Sequence, residues 1–268
     1  MREGLRAYGL IAAMWVRSTM TYRFSFAMTL LSNFLATAFD FVVILLMFSQ
    51  VRGLGGFSFA EVAFLYGTTS TAFGLADLAL GQIQRLGRRV RDGTLDTLLV
   101  RPVPVLAQVA ADRFALRRLG RVTQGLLVLV WSLLILDEVT WTPAKVALVP
   151  LMVVTGWLIF SSVMVAGAAF QFLAQDAAEV TNSFTYGGNT LLQYPPTIFA
   201  ADLVRGVVYV VPLAFVNWVP ALYVLGREAP AGLPWWSAFA SPAVAVLFCA
   251  LAGLAWRVGV RSYRSTGS

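Results

Sequence analysis

Long apolar runs dominate the pattern of hydrophobic and polar positions along the chain. Residues 24–48 contain one ionisable side chain, Asp40, and residues 146–173 contain none. A helix rises 1.5 Å per residue, so about 20 residues cross the hydrocarbon core of a bilayer, and both runs exceed that length. The pattern predicts an all-α integral membrane protein. We expect about six transmembrane helices, near residues 24–50, 58–83, 119–137, 146–173, 177–199 and 235–256.

A seventh apolar segment, residues 203–225, is interrupted by Pro212 and Pro220. Sixteen of the twenty basic residues fall in the N-terminal segment, the 84–121 connection or the C-terminal tail. Because short cytoplasmic segments are enriched in Lys and Arg, this distribution predicts cytoplasmic termini and an even number of crossings. The seventh segment then fits a pair of short helices in an external re-entrant region, residues 200–230. We expect residues 1–268 to form one transmembrane domain.

The first 23 residues have the spacing of an amphipathic helix. Leu5, Tyr8, Ala12, Trp15 and Thr19 recur at helical intervals, which favours one apolar face. We expect this helix to lie in the cytoplasmic interface of the bilayer, where aromatic side chains anchor it. A disordered tail is the alternative.

The composition excludes several classes of function. Hydrophobic residues make up 59% of the chain and charged residues 12%, too apolar a balance for a soluble domain. The net charge is +7, and the basic residues, of which one is a lysine, lie in the connections between the apolar runs. This distribution is typical of charges that orient a protein in the membrane rather than of a nucleic-acid-binding surface. With no histidine and one cysteine, Cys249, inside an apolar run, we expect no disulfide, metal site or catalytic residue.

Several polar side chains lie inside the predicted spans, where an uncompensated charge is costly. Asn33, Thr37 and Asp40 share one helical face of the first span, and Asp77 lies nearer the cytoplasmic end of the second. These four residues are candidates for a translocation path or a dimer interface. The alternative is hydrogen bonding and packing between helices. If both acids face a cavity, we expect a cationic or amphipathic substrate.

The most informative connection is the stretch RRVRDGTLDTLLVRPVP at residues 88–104. Asp92 is placed to cap a short helix that Pro102 ends. Leu95, Leu98 and Leu99 recur at i, i+3 and i+4, which predicts a small apolar face. A short helix of this kind, bordered by arginines and outside the membrane, suits docking into a groove of another protein. A helix lying on the lipid headgroups is the alternative.

This stretch resembles the loop after the second span in permease subunits of type-2 ABC exporters, closest to the branch that includes viologen-exporter-like permeases. The amphipathic N-terminus, the six spans and the proline-interrupted stretch 194–226 are similar to the same family. The resemblance implies a coupling helix at residues 91–102 that fits a cleft of a cytoplasmic ATPase subunit, and a second contact in the turn 175–179. The implied contact residues are Arg91, Asp92, Gly93, Thr94, Leu95, Asp96, Leu98, Leu99, Arg101, Pro102, Asp176 and Glu179.

The resemblance also implies a permease dimer, with a second copy or a paralogue, and two ATPase subunits. The chain has no G-x-x-x-x-G-K-[ST] loop, so we expect ATP and magnesium on the partner and no cofactor here. The leading hypothesis is a non-enzymatic permease of an ATP-driven exporter in a bacterial plasma membrane. The alternatives are a stand-alone transporter with Asp40 as proton carrier and an intramembrane enzyme. The enzyme is least supported, because no paired nucleophile and base occurs.

Overall fold

The computed structural model describes residues 2–174 and 178–263. Within these ranges the chain is built from helices that differ greatly in length. The α-helices are α1 (Arg2–Met20), α2 (Arg23–Gln50), α3 (Phe59–Leu80), α4 (Leu86–Arg91), α5 (Asp96–Leu99), α6 (Val105–Ala111), α7 (Leu119–Ile135), α8 (Pro143–Phe170), α9 (Ala178–Asn182), α10 (Gly188–Leu192), α11 (Ala201–Arg205), α12 (Trp218–Leu225) and α13 (Ser241–Ser262).

Four segments of the described chain are long and apolar enough to cross a membrane by length and composition: Arg23–Gln50, Leu116–Ile135, Pro143–Phe170 and Ser241–Ser262. They correspond to four of the six predicted spans, and the all-α membrane fold is confirmed. The last one begins later than predicted, because Pro234 precedes a separate 3-10 turn, Trp235–Phe239. The remaining two predicted spans differ from simple apolar helices.

The second predicted span, α3, is 22 residues long and lies at the centre of the structure, with 16 of its residues buried. A capping box begins it: the Ser58 amide donates to the Glu61 carboxylate at 2.8 Å, and Ser58 Oγ accepts from the Glu61 amide at 3.4 Å. Helices α7 and α8 pack on α3. A Cβ on Gly67 would lie 2.6 Å from Leu129 Cα of α7. Only glycine permits so close a crossing.

The predicted fifth span, 177–199, is not a single regular α-helix. A π-helical segment, Ser183–Gly187, joins α9 to α10, and the helical run ends at Leu192, shortly before Pro195 and Pro196. Proline lacks the backbone N–H and so cannot extend the run. The described helix is therefore shorter than the hydropathy pattern indicated.

The 203–225 segment forms short helices, as expected. Helix α11 continues into a π-helical segment, Gly206–Val210, and a 3-10 turn, Leu213–Val216, leads into α12. Pro220 is tolerated because it lies in the first turn of α12, where no helical hydrogen bond is lost. Gly226 ends α12 with a left-handed φ of 72°, a backbone conformation that glycine adopts without a steric penalty.

A buried amide fixes this region to α3. Asn217 is 0% exposed, and its Nδ2 donates to Leu65 O at 2.9 Å, Thr69 Oγ1 at 2.6 Å and Leu192 O at 3.0 Å. Its Oδ1 accepts from Thr68 Oγ1 at 2.8 Å. Full satisfaction of a buried polar group stabilises one arrangement of the surrounding helices.

Helix α1 packs on α6 with one face. Ala12 is buried, Tyr8, Trp15 and Thr19 are partly buried, and Tyr8 Oη donates to Ala79 O, at the end of α3, at 2.8 Å. Leu5, predicted on the same face, is instead 70% exposed. The described residues of the N-terminal segment thus form an ordered helix rather than a disordered tail.

Candidate functional sites: the arginine-rich loop and the polar residues of the spans

The arginine-rich loop, residues 84–121, folds as a series of short helices. A 3-10 turn, Gly81–Arg85, extends α3 directly into α4. Asp92 does not cap the following helix as predicted: it is the C-terminal cap of α4, and its amide donates to Arg88 O at 2.9 Å. Gly93, at φ 65°, then reverses the chain. Leu95 is the N-cap of α5, a single turn rather than the expected helix over 91–102.

The three leucines of this loop do not form one exposed face. Leu95 is 0% exposed and Leu98 8%, and both belong to the hydrophobic core of this chain, whereas Leu99 is 38% exposed. Leu95 and Leu98 already pack inside the protein, so the three leucines do not form the docking surface that the sequence predicted. Val100, 84% exposed, is the most exposed apolar side chain of the stretch.

Polar contacts hold the loop together and join it to the end of α13. Gln108 Nε2 donates to Leu98 O at 3.0 Å and Val103 O at 2.8 Å. Tyr263, after α13, donates to Asp96 Oδ1 at 2.9 Å. Burial, followed by the hydrogen bond and charge of Asp96, raises the pKa of the Tyr263 phenol. The phenol is therefore a protonated donor at neutral pH.

Two further contacts join the loop to the ends of long helices or to itself. The Gly87 amide, in α4, donates to Gln171 Oε1 at the end of α8 at 2.6 Å. Arg89 forms an ion pair with Asp112. The loop is thus connected to three of the long helices, α3, α8 and α13.

The outward side of the loop carries most of the implied ATPase contacts. Its exposed members are Arg91, Asp92, Thr94, Leu99, Arg101 and Pro102. We call residues 99–102, Leu-Val-Arg-Pro, the tip. Gly93 and Asp96 are partly buried. Glu179 is exposed in the first turn of α9, while Asp176 lies outside the described residues.

The polar stripe of α2 is divided between buried and exposed positions. Thr37 is 6% exposed, and its carbonyl accepts from Tyr66 Oη at 3.0 Å. Asn33 is partly buried, and its Oδ1 has no hydrogen-bond partner among the described residues. Asp40 is exposed at the surface of the single chain. The structure therefore leaves Asp40 open and covers Thr37 with a neighbouring helix.

Asp77 is 4% exposed and lies in an ion pair. Arg118 Nε is 3.1 Å from Asp77 Oδ2, Arg118 Nη1 donates to Asp77 O at 2.8 Å, and Tyr186 Oη donates to Asp77 Oδ1 at 3.3 Å. These contacts favour packing between helices, the alternative weighed from the sequence, over an open position on a substrate path.

Arg121 is a further charged residue near the polar side chains of the spans, and the sequence analysis did not single it out. Its guanidinium lies 5.1 Å from the ring centre of Phe73 and 5.6 Å from that of Tyr186, within cation–π range. The available signal was spacing: Arg118 and Arg121 are three residues apart at the start of a span, so both fall on one helical face.

Comparison with known families identifies the chain. A sequence model described as "ABC-2 family transporter protein" matches residues 34–267. The chain belongs to this family. ABC-2 permeases are the membrane subunits of ABC transporters, and their ATPase is a partner subunit. No curated protein and no solved structure matches the chain. The chain is thus a multi-pass membrane permease of the ABC-2 family.

Proposed function

We propose that this ABC-2 permease is the membrane-spanning subunit of an exporter that moves a small or amphipathic substrate out of the cell. A separate ATPase subunit drives alternating access, and this chain binds no ATP, magnesium or other cofactor. The family match over residues 34–267 carries the proposal. It does not favour the stand-alone proton-coupled transporter. The stretch RDGTLDTLLVRP, residues 91–102, supports the viologen-exporter-like branch in particular.

The orientation follows from the charges. We place both termini and the arginine-rich loop in the cytoplasm of a bacterial cell, because they hold most of the basic residues. The 200–230 region then lies on the outer side. There Arg227 donates to Glu61 through Nε and Nη2, each at 2.7 Å, and fixes this region to the start of α3.

The tip is the part of the loop that we assign to the ATPase. Val100 and Leu99 offer exposed apolar surface, and Arg101 offers charge beside it. Leu95 and Leu98, buried in the same stretch, hold the tip rather than contact the partner. When the ATPases close, movement of the tip passes through α4 into α3 and through Tyr263 into α13. This path couples ATP turnover to rearrangement of the long helices.

A second permease copy or paralogue completes the assembly. Of the 28 residues of α2, three are buried: Thr37, Phe41 and Ile44. Asp40 is exposed on this helix, and a carboxylate at mid-bilayer costs about 2.5–3.5 kcal/mol when it faces lipid. A partner permease or a water-filled path between the two permeases removes that cost. Asp40, together with Asn33 on the same face of α2, is the set that we assign to the interface with the second permease.

The experiment replaces Val100 with Asp. Burying one valine on a partner stabilises a complex by about 1.5–3 kcal/mol, and a buried unpaired carboxylate opposes it further. We expect the dissociation constant of the ATPase to rise by about tenfold to a hundredfold, since each 1.4 kcal/mol changes it tenfold. Co-purification of the ATPase with each variant in mild detergent, together with ATP turnover, measures this.

Two controls separate docking from folding. Val51→Asp places the same charge at the C-cap of α2, at the opposite end of that helix from the arginine-rich loop, and should leave ATPase binding unchanged. Val100→Thr keeps the shape without the charge and should lower binding only slightly. If Val100→Asp retains the ATPase at wild-type stoichiometry and turnover, the tip is not the docking element.

A further inference from the structure

A cleft opens where helix α1 meets the beginning of α2 and the end of the arginine-rich loop. It has a volume of about 350 Å³ and is lined by Trp15, Tyr22, Phe26, Arg113, Phe114 and Arg117, with small and polar residues between them. Helix α1 supplies one wall, and Ser25, Phe26 and Thr29 of α2 supply another. No acidic side chain lines this cleft among the described residues.

The two arginines of the cleft are available to a ligand. Both are exposed, and neither forms an ion pair with any described residue. The acid next to them in sequence, Asp112, is already paired with Arg89. The site therefore has two uncompensated positive charges.

A buried donor points to the same ligand chemistry. The Nε1–H of Trp15 is buried and has no acceptor among the described residues. A buried N–H without an acceptor is costly, and an oxygen atom of a bound ligand would satisfy it. Two guanidinium groups and one indole N–H together match the oxygens of a phosphate.

The loop that presents the arginines is held in place. Gln82 Nε2 donates to Arg113 O at 2.8 Å, and the Phe114 ring meets the Tyr8 ring edge to face at 6.4 Å. Arg113 itself has a φ of 50°, which is uncommon for a residue other than glycine. These contacts keep both arginines at the rim of the cleft.

The surroundings of the cleft are those of a membrane interface. On α1, Leu10 is 64% exposed and Met14 is 56% exposed. Tyr22, which directly precedes α2, is 75% exposed. Exposed leucine and methionine on an amphipathic helix favour insertion among acyl chains, and tyrosine favours the headgroup level. A soluble anion uses only the arginines, whereas a lipid also uses the exposed apolar side chains beside the cleft.

We propose that this cleft binds the headgroup of an anionic phospholipid. The phosphate lies between Arg113, Arg117 and the Trp15 indole N–H, and the acyl chains run along the first turns of α2. The bound lipid ties α1 to the arginine-rich loop. Such a site needs no ATPase or substrate, so its test is independent of the exporter assignment.

The test is titration of the delipidated full-length permease with phosphatidylglycerol or phosphatidylcholine in detergent, with bound lipid counted by native mass spectrometry. We expect a preference for phosphatidylglycerol. Each basic residue near an anionic surface contributes about 1 kcal/mol, so Arg113→Gln with Arg117→Gln should weaken phosphatidylglycerol binding about thirtyfold. Trp15→Phe, which keeps the ring and removes the N–H, should weaken it by a smaller factor.

The controls decide between the outcomes. Arg257→Gln with Arg261→Gln removes the same charge from two exposed positions of α13 and should leave lipid binding unchanged. Arg113→Lys with Arg117→Lys keeps the charge and should retain most of the affinity, even if the glutamine variant folds poorly. Wild-type affinity in a folded glutamine variant would overturn the proposal. Complete displacement of the lipid by inorganic phosphate would also overturn it, in favour of a soluble-anion site.

Discussion

The ion pair between Arg118 and Asp77 lies at the C-terminal end of α3, and its removal tests whether electrostatics fix that end. The side chains are 14% and 6% exposed, and the carboxylate accepts from Tyr186 as well. Removing one partner of a buried pair typically costs 3–5 kcal/mol, because the other charge stays buried without compensation. Arg118→Met should therefore destabilise the permease by about 3 kcal/mol or more, since it also removes the bond to Asp77 O.

The double variant gives the decisive comparison. Replacing both charges, with Arg118→Met and Asp77→Leu, leaves no unpaired charge, and such replacements are often close to neutral. We expect the double variant to be more stable than Arg118→Met alone, with a coupling energy of about 1–3 kcal/mol. The free energy of unfolding, measured by denaturant titration in detergent for all four proteins, completes the cycle.

The result that refutes this reasoning is additivity. If the two single changes add within about 0.5 kcal/mol, the residues do not depend on each other energetically. If Asp77→Leu also keeps full stability but abolishes permease-stimulated ATP turnover, Asp77 acts on the transport path after all. In that case the sequence hypothesis for this residue would be restored.

Two further predictions follow from the loop and from α2. Tyr263→Phe removes the hydrogen bond to Asp96 and should lower the free energy of unfolding by about 0.5–1.5 kcal/mol. Because the phenol pKa is raised in the folded state, the stability advantage of the wild type should be present at neutral pH and disappear as the pH rises through that pKa. Thermal unfolding of both proteins across pH measures this. The Asp40→Leu variant should insert at least as well as the wild type, but the fraction of permease dimer and the stimulated ATP turnover should both fall. Native mass spectrometry and an ATPase assay measure these two quantities. Ser32→Ala is the control and should change neither, because the Ser32 hydroxyl donates to Met28 O of its own helix.

The apolar spans were predictable because hydropathy alone decides them. Helices α2, α7, α8 and α13 appear where long apolar runs contain few charged residues. Boundaries were less predictable at the run 235–256, where the tryptophans are apolar but Pro234 starts a separate turn. The fifth predicted span also differs, because hydropathy does not report the π-helical segment or the two prolines that end the helix.

The arginine-rich loop shows why a periodic pattern does not determine direction. The i, i+3, i+4 leucines were predicted to form one apolar docking face, but Leu95 and Leu98 are buried in the protein's own core and Leu99 is exposed. Sequence spacing does not distinguish an internal partner from an external one. The exposed side of the stretch depends on the turn at Gly93 and on the bond from Gln108, neither of which is visible in hydropathy.

Helix α3 connects these observations, because its polar centre is satisfied by its neighbours. Thr68 and Thr69 bond to Asn217, and Ser70 Oγ accepts from Gln193 Nε2 at 3.1 Å. A helix whose polar groups are paired inside the protein needs less apolar surface toward lipid. For this reason α3, predicted from the sequence as the second span, is not among the four described helices that length and composition identify as spans.

The two ends of α3 are fixed by different ion pairs. Glu61 binds Arg227 at one end, and Asp77 binds Arg118 at the other. Beyond Asp77 the chain runs without interruption into the arginine-rich loop. The loop and α3 are therefore joined both through the continuous chain and through the Asp77–Arg118 pair. We infer that α3, rather than a lipid-facing helix, carries motion from the tip to the opposite end of the permease.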